Sequence, residues 1–228
     1  MPKFNTANPS NVNGNPLEDP EDFMFRMVRE TMCGGGGLSF DLLREKGCDV
    51  QLIVSYDTID DLVRAVIDDL IERMNIIWEP VCAEAREYLA SGTGNRDQSV
   101  QKLERLIYRH TYQVMHPKNR SYVLLCAQES LIPEEHRERV ASALRENFTD
   151  TLTGMIMAVS EIKNQTNAAL LAGQVIGNIN FYLLQPELVK CIFRSATGLD
   201  PKYSEIEDYM NNMLLRSIWH NTSINKLF

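Results

Sequence analysis

The sequence predicts an all-α protein, and three observations support this. Apolar residues recur at helical spacing from Leu62 to Ile77. Capping signals precede several helical patterns, such as Thr58 followed by Asp61, and Pro133 followed by two glutamates. Neither a strand hairpin nor an alternation of strands and helices is visible in the chain. The predicted helices must therefore bury their apolar faces against one another.

The composition is that of an ordinary globular chain, but its charge is unevenly distributed. The chain has 228 residues, of which 44% are hydrophobic and 24% are charged, and its formal net charge is −8. Residues 1–80 contain seven Lys and Arg against fifteen Asp and Glu, whereas the rest of the chain is balanced. This distribution provides no general attraction to nucleic acid or to an acidic membrane.

The lack of a visible targeting signal and the spacing of the cysteines predict an intracellular protein. No apolar run approaches the roughly 18 residues of a membrane span, and no signal peptide is visible. We therefore expect a cytoplasmic protein that does not bind a membrane. The cysteines show no metal-ligand or redox spacing, so we expect buried thiols, no metal and no cofactor. They are Cys33, Cys48, Cys82, Cys126 and Cys191.

The N-terminal region begins with a polar arm and a first helix. Residues 1–20 are rich in Asn, Pro and Gly, and we expect a disordered arm. A helical pattern then extends from Glu21 to about Met32. It ends at Gly34–Gly37, because four glycines lose too much backbone entropy inside a helix.

Two short elements and a long helix follow the glycines. Ser39 is suited to cap a short helix that ends at Gly47. The segment Val50–Tyr56 is rich in β-prone residues, but we interpret it as a helix because an isolated strand has no partner. The long helix begins at Thr58, and Pro80 is expected to bend or interrupt it.

Helical patterns account for most of the remaining chain. Ser91–Gln98 is expected to be a loop. The further predicted helices cover Val100–Met115, Lys118–Glu129, Pro133–Ile162, Gln165–Leu184, Pro186–Ala196 and Tyr203–His220.

The order of these elements resembles that of the TetR family of bacterial transcriptional regulators. FMFRMVRETM resembles the first helix of the family, LSFDLLREKG the second, VQLIVSY the recognition helix, and DTIDDLVRAVIDDL the start of the connecting helix. HPKNRSYVLLCAQESLIPEEHRERV is similar to a segment common in TetR-family bodies. The resemblance implies a three-helix helix-turn-helix head at residues 21–66 and a helical ligand-binding and dimerisation body at residues 67–228. It also implies a homodimer that is released from operator DNA by a small-molecule effector.

The head departs from the family pattern where the family contacts DNA. The family usually has Tyr at the position of Ile53 and Lys at that of Ile59, and the turn Gly47–Asp49 is shorter than usual. The segment from Glu21 to Asp57 contains four basic and seven acidic residues. DNA affinity comes chiefly from Lys and Arg at phosphates, so two alternatives remain open. The head binds operator DNA, or it has lost this ability and the protein binds a small molecule or a basic protein partner. The candidate DNA contacts are Ser39, Gln51, Ser55, Tyr56 and Thr58.

Polar and aromatic residues of the body suggest a ligand pocket. Tyr108, Tyr112 and His116 are spaced four apart and share a helix face. Aromatic walls with a few polar anchors are typical of ligand sites, although such residues also form ordinary cores and interfaces. His116 and Glu129 are a possible acid/base pair, but no nucleophile or metal accompanies them, so we expect no enzyme. The candidate ligand contacts are Tyr108, Tyr112, His116, Glu129, Gln174, Asn178 and Tyr182.

The last two long helical patterns suggest a dimer interface. Small residues in Gln165–Leu184 permit close approach of another helix, and Tyr203–His220 has an apolar side. The TetR resemblance implies that these helices form a four-helix interface between two copies. Packing of the same faces within one chain is the alternative. The residues concerned are Ala168, Ala169, Ala172, Gly173, Gly177, Ile206, Tyr209, Met210, Met213, Leu214 and Ser217.

Overall fold

A computed structural model of the chain describes residues 18–92, 94–116, 119–160, 162–198 and 202–224. These residues contain helices and no strand, so the predicted all-α fold class is confirmed. The chain divides between Val66 and Ile67 into two compact units, which we call the N-terminal unit and the C-terminal unit. The arm expected at residues 1–20 lies mostly outside the described residues.

Eleven α-helices follow one another in the described residues. Those that begin before residue 100 are α1 (Pro20–Cys33), α2 (Phe40–Glu45), α3 (Val50–Ile53), α4 (Ile59–Ser91) and α5 (Arg96–Met115). The others are α6 (Arg120–Ala127), α7 (Glu134–Leu144), α8 (Asp150–Val159), α9 (Gln165–Leu184), α10 (Pro186–Thr197) and α11 (Tyr203–Ile224). A 3₁₀ turn at Glu129–Leu131 precedes α7, and a π-helical turn at Arg145–Thr149 joins α7 to α8.

The end of the expected arm belongs to the start of α1. The Asp19 carboxylate accepts a hydrogen bond of 2.9 Å from the Glu21 N–H, and Pro20 occupies the first helical position. Glu18 forms an ion pair of 2.7 Å with Arg26, eight residues further on. Residues 18–20 are therefore held by capping and charge pairing, which corrects the expected boundary of the arm.

The glycine run ends α1 through a Schellman cap. The Gly36 N–H donates to the Thr31 carbonyl at 3.2 Å, and the Gly35 N–H donates to the Met32 carbonyl at 3.1 Å. Gly35 adopts φ +67°, a left-handed conformation that disfavours a side chain.

The segment between α2 and α3 is a tight turn around a left-handed glycine. The Ser39 hydroxyl caps α2 by accepting from the Leu42 N–H at 3.1 Å. Gly47 has φ +85°, and the Cys48 N–H donates to the Leu43 carbonyl at 3.0 Å. This is a second Schellman cap, and it ends α2.

Helix α3 is a single turn, shorter than the helix expected over Val50–Tyr56. The Asp49 carboxylate caps it by accepting from the Gln51 N–H at 2.8 Å. The Ser55 hydroxyl donates to the Leu52 carbonyl at 2.6 Å. The Leu52 carbonyl therefore accepts a hydrogen bond from a side chain where the helix ends. The C-terminal half of the expected recognition helix is therefore a turn.

The N-terminal unit has its own hydrophobic core. Apolar side chains of α1, α2, α3 and the first turns of α4 meet there, and the turn residue Cys48 is buried with them. The buried members are Met24, Phe25, Met27, Val28, Leu43, Cys48, Ile53, Leu62 and Val66.

Helix α4 continues through Pro80 as one element, so the expected interruption does not occur. A proline removes the hydrogen bond to the carbonyl four residues earlier, which here belongs to Ile76. Pro80 and Ile76 are both exposed, so water can reach this region of the helix.

Helix α5 begins earlier than the sequence predicts, because Asn95 and Gln98 form a capping box. The Asn95 side chain accepts from the Gln98 N–H at 2.9 Å, and the Gln98 side chain accepts from the Asn95 N–H at 3.2 Å. In the C-terminal unit α5 packs against α8, α9 and α11, and α8 also packs against α9. The α5 side chains between Leu103 and Met115 therefore form much of the core.

Candidate functional site

Three aromatic rings from distant parts of the sequence meet in the C-terminal unit. His110 of α5 stacks on Phe148 with ring centroids 4.1 Å apart. Trp78 of α4 lies 5.6 Å from His110 and 6.2 Å from Phe148, tilted to both. All three side chains are at most 5% exposed. We call these residues the aromatic cluster.

The aromatic cluster contains polar atoms that have no hydrogen-bond partner in the part of the chain that the structure describes. The Trp78 indole N–H and both imidazole nitrogens of His110 are buried and unpaired, as is the hydroxyl of the adjacent Thr111. Burial lowers the pKa of His110 to about 3, so its ring is neutral at physiological pH. Most buried polar groups in proteins pair with other protein atoms or with ordered water, and no described protein atom pairs with these four.

The π-helical turn places Phe148 in the aromatic cluster. Arg145–Thr149 is inserted between α7 and α8, and Thr153 Oγ1 donates back to the Thr149 carbonyl at 2.8 Å where α8 begins. A π-turn changes the register of the following helix relative to the preceding one, and such turns are frequent at functional sites.

A small internal cavity adjoins the aromatic cluster, because Trp78 belongs to both. Its volume is about 10 Å³, which is roughly the space of one water molecule. We call it the α4–α6 cavity after the first and last helices that line it. Its walls are Arg73, Met74, Ile77, Trp78, Gln113, Asn119, Tyr122, Val123 and Cys126.

The polar groups in the wall of the α4–α6 cavity are mostly paired with one another. Arg73 forms an ion pair of 2.7 Å with Asp69, and its guanidinium lies 5.5 Å from the Tyr122 ring centroid. The Asn119 amide donates to the Gln113 side-chain oxygen at 2.7 Å. The positive charge of Arg73 is thus neutralised by Asp69. The indole N–H of Trp78 has no partner among the described protein atoms.

No protein-family model, curated protein or solved structure matches the chain. The assignment of a function therefore depends on the side-chain geometry. Within the ranges that the structure describes, no group of three or more His, Cys, Asp and Glu is placed to hold a metal ion. In the same ranges no helix is both long and apolar enough to cross a membrane.

Three of the predicted ligand residues lie on the outer side of α5. Tyr108 and Tyr112 are exposed and line an open surface groove of about 550 Å³ together with Arg105 and Arg109. The His116 ring lies 5.6 Å from that of Tyr112. Their spacing of four residues does place them on one face, but this face is opposite to the one that carries His110 into the core.

The other predicted ligand residues lie on different elements. Glu129 is exposed in the 3₁₀ turn, and Gln174 is exposed on α9. Asn178 and Tyr182 are half-buried on α9, where burial and the nearby Tyr209 raise the pKa of Tyr182. Because Glu129 and Gln174 are exposed, they do not line an enclosed pocket.

The predicted DNA contacts separate into capping residues and exposed residues. Ser39 caps α2, and the Thr58 hydroxyl accepts from the Asp61 N–H at 3.1 Å at the start of α4. Gln51 and Ser55 are exposed on and just after α3, whereas Tyr56 is half-buried and burial raises its pKa. The face around α3 thus presents the side chains of Gln51 and Ser55 to solvent.

Two valines extend this exposed face. Val50 is 53% exposed and Val54 is 63% exposed. Ile53 is instead 1% exposed in the core of the N-terminal unit. No Lys or Arg occurs between Gly47 and Val63. We call Val50, Gln51, Val54 and Ser55 the α3 face.

The aromatic cluster was not anticipated from the sequence. Trp78, His110 and Phe148 are 32 and 38 residues apart, so helical periodicity within one element cannot relate them. The available signal was the position of His110 on the apolar side of α5, beside Leu106, Ile107 and Val114.

Proposed function

We propose that the protein is a TetR-type ligand-responsive transcriptional regulator that acts as a homodimer. The observation that best supports this proposal is the tight turn between α2 and α3 around the left-handed Gly47. Two short helices joined by such a turn, and preceded by a third helix in the same core, are the elements of a helix-turn-helix head. The all-α C-terminal unit has the size and class of the body that such a head requires.

The α3 face is the part of the N-terminal unit that we propose meets DNA. Gln51 and Ser55 can donate to or accept from base edges and phosphates. The Val50 and Val54 side chains are suited to contact thymine methyl groups. Because this face has no cation, we expect weak dependence of DNA affinity on salt concentration.

The effector of the proposed regulator would bind in the C-terminal unit, and it would act by repacking the aromatic cluster. Its polar atoms have no partners, and it adjoins the α4–α6 cavity. Helix α4 supplies Leu62 and Val66 to the core of the N-terminal unit and Trp78 to the aromatic cluster. A ligand that repacks Trp78 therefore acts on a helix shared by both units, which is the coupling that we propose.

The proposed homodimer uses the exposed apolar side chains of α9 and α11. On α9 these are Leu170 and Phe181, separated by the exposed Gly173 and Gly177, and on α11 the side chain is Tyr209. Ala168, Ala172, Ile206, Met210 and Leu214 are buried within the chain, so part of the face predicted for dimerisation serves intramolecular packing.

The dimer is tested by analytical ultracentrifugation at micromolar concentration. We expect the wild type to sediment as a dimer and Leu170→Glu/Phe181→Glu to sediment as a monomer, because buried charges oppose association. Ile76→Glu is the control, since Ile76 is about as exposed as Leu170 but lies on α4. A monomeric wild type, or a double variant that remains dimeric, would exclude this interface.

DNA binding is tested by fluorescence anisotropy with the DNA upstream of the protein's own gene. At low ionic strength we expect specific binding that unlabelled upstream DNA displaces and scrambled DNA does not. Gln51→Ala should weaken binding about 5-fold to 100-fold, as expected for the loss of a bidentate base contact. Glu129→Ala, a substitution of an exposed residue in the C-terminal unit, is the control. Equal affinity for upstream and scrambled DNA would reject the regulator.

A second candidate function is a TetR-like binding module that has lost DNA binding. The observation that favours it is that three exposed acidic residues, Asp49, Asp57 and Asp60, lie close in sequence to the exposed Val50 and Val54. Exposed apolar side chains accompanied by carboxylates suit a basic protein segment better than they suit a phosphate backbone. This candidate predicts that the wild type shows no DNA affinity even at low salt.

A further inference from the structure

An open groove between α4 and α5 combines cationic and aromatic side chains on the surface of the C-terminal unit. We propose that this groove binds a small aromatic molecule that carries an anionic carboxylate or phosphate group. Such binding does not require that the N-terminal unit binds DNA, so the inference goes beyond the proposed function. Only the use of the groove as the effector site rests on that proposed function. We call it the α4–α5 groove, and its lining residues are Pro80, Val81, Arg105, Tyr108, Arg109 and Tyr112.

The α4–α5 groove has room for a small molecule. Its volume is about 550 Å³, within the range of roughly 300–1,000 Å³ that is typical of small-molecule sites. The α4–α6 cavity, in contrast, has the space of about one water molecule. The groove therefore offers a ligand the space that the interior of the C-terminal unit does not.

The groove side of α5 carries more positive charge than the adjacent carboxylate neutralises. Glu84 of α4 forms ion pairs with both Lys102 and Arg105, so two cations share one carboxylate. The exposed Arg109 side chain forms no ion pair or hydrogen bond within the described part of the chain. Glu104, the acidic residue of α5 closest to Arg109 in the sequence, is turned about 140° away from it around the helix. These three cations and the one carboxylate that pairs with them leave an excess of two positive charges.

The guanidinium of Arg109 favours a carboxylate or a phosphate over other groups. It presents N–H donors in a planar fork that matches two oxygens of either anion. A neutral amide would receive weaker hydrogen bonds from the same donors, and the excess positive charge would repel a cation. The charge of the groove therefore selects an anionic group.

The tyrosines and the α4 wall favour an aromatic ring beside that anionic group. Tyr108 is 40% exposed and Tyr112 is 47% exposed, and their spacing of four residues places the two side chains next to each other. Pro80 and Val81 line the groove from α4, and the charge of the neighbouring Glu79 is compensated by an ion pair of 2.6 Å outside the groove lining. A flat ring packs closely against tyrosine rings and against a guanidinium plane.

Three probes with the same ring test the charge class. Phenylacetate is an anion, phenylacetamide is neutral and phenethylammonium is a cation, and ligand-observed NMR titrations with the full-length protein at pH 7 measure their dissociation constants. A probe of about ten heavy atoms in an open groove should bind with a Kd of about 1 mM. We expect phenylacetate to bind at least about fivefold more tightly than the other two. A smaller preference overturns the charge class, and no binding of phenylacetate at about 20 mM overturns the site.

Phenyl phosphate distinguishes the two kinds of anion. It should displace phenylacetate from the protein, because both anions are expected to pair with the same guanidinium. Tighter binding of phenyl phosphate than of phenylacetate assigns a phosphate-bearing ligand to the groove, and weaker binding assigns a carboxylate-bearing one. Failure to displace phenylacetate contradicts a site that recognises the chemistry shared by the two anions.

Two arginine variants locate the binding. Arg109→Gln should weaken phenylacetate binding at least about threefold, because it removes the positive charge of an exposed ion pair and keeps a chain of similar length. Arg96→Gln is the matched control, since it removes the same charge from an exposed position at the other end of α5, about 20 Å away. Equal losses would show that net charge governs binding, and an unchanged affinity of Arg109→Gln would show that the probe binds elsewhere. Either result rejects the proposal.

A tyrosine variant tests the aromatic part of the proposal. Tyr108→Leu/Tyr112→Leu keeps apolar side chains but removes both rings, and we expect phenylacetate affinity to fall at least about threefold. The preference for phenylacetate over phenylacetamide should remain, because Arg109 is intact. An unchanged phenylacetate affinity contradicts the aromatic class. None of these titrations contains DNA, so their failure is distinguishable from failure of the DNA-binding assay, which tests the proposed regulator.

Discussion

The imidazole of His110 stacks on the ring of Phe148, with centroids 4.1 Å apart and planes 17° from parallel. The two side chains are 5% and 2% exposed, so His110 serves here as an aromatic ring and not as an ionisable group. This contact joins α5, which packs against three other helices of the C-terminal unit, to the π-helical turn. The stability of the C-terminal unit therefore depends on keeping His110 neutral.

Acidification is expected to destabilise the protein through His110. In the unfolded chain His110 accepts a proton below its ordinary pKa of about 6.5, whereas burial keeps it unprotonated in the folded chain down to about pH 3. The unfolded state binds more protons between these values, so stability falls as the pH is lowered through this range. Between pH 6.5 and pH 5 the loss from His110 is about 2 kcal/mol.

Urea unfolding of two histidine variants checks this pH dependence. His110→Leu should show a smaller loss of unfolding free energy between pH 7 and pH 5 than the wild type, by about 2 kcal/mol. His136→Gln removes a histidine from α7 and is the matched control. The explanation fails if both variants change the pH dependence equally, or if His110→Leu leaves it unchanged.

Truncation of Phe148 is expected to be strongly destabilising. Phe148→Ala removes a buried ring from the aromatic cluster and leaves a cavity, which typically costs about 3–5 kcal/mol. Phe181→Ala is the control, because Phe181 is 41% exposed on α9, and its effect on the isolated chain should be within about 1 kcal/mol. Thermal and urea unfolding measure both variants. Similar losses for the two substitutions would show that Phe148 is not part of the core.

The sequence predicts the helices better than it predicts the site. Caps at Ser39 and Thr58 and the stop at the glycine run are local signals, and the structure contains all three. Helix α3 is short because the Ser55 hydroxyl bonds to a backbone carbonyl and so competes with the helical hydrogen bonds. The spacing of apolar residues carries no information about this side-chain bond. Pro80 shows a similar limit, since its effect depends on whether solvent reaches α4 there.

The aromatic cluster depends on tertiary structure. Trp78, His110 and Phe148 approach one another only because α5 packs beside α4 and the π-turn rotates Phe148 inward. Tyr108 and Tyr112 share a face of α5, as their spacing predicts. Because polar and apolar residues are mixed along α5, the spacing of its apolar residues does not indicate which face packs into the core.

Two glycines of the run after α1 are expected to tolerate alanine differently. Gly35→Ala places a side chain in a left-handed conformation at φ +67° and should destabilise the protein by about 1 kcal/mol. Gly37→Ala is the control two residues later, because Gly37 has an ordinary φ and open space around its position. It should be neutral or slightly stabilising. Urea midpoints compare the two, and equal effects would contradict the proposed role of the Schellman cap.

The thiols are expected to differ widely in reactivity. Burial raises the pKa of Cys82 to about 11 and shields it within α4, whereas Cys191 is exposed on α10. Iodoacetamide at pH 8 should therefore label Cys191 rapidly and Cys82 only on unfolding, because the thiolate is the reactive form. Peptide mass spectrometry over time follows both sites, with Cys191→Ser as the control for assignment. Equal labelling rates in the folded protein would contradict the burial of Cys82.

Added cations on and beside the α3 face distinguish the two candidate functions, and the structure determines which residues to change. Asp49 is unsuitable, because its carboxylate caps α3 and its loss would cost about 1 kcal/mol of helix stability. Asp57 and Val54 are both exposed, so Val54→Lys/Asp57→Lys adds cations without disturbing the core of the N-terminal unit.

This double variant is measured beside the wild type for affinity to upstream and scrambled DNA. If the protein is a regulator, the wild type already discriminates the two DNAs, and the variant binds both more tightly because added cations act without regard to sequence. If the head has lost DNA binding, the wild type binds neither DNA and the variant gains affinity of equal strength for both. A Glu134→Lys/Glu135→Gln variant on α7 adds the same three units of positive charge in the C-terminal unit and controls for net charge. Equal gains from both double variants would show that net charge, and not the α3 face, governs the interaction with DNA.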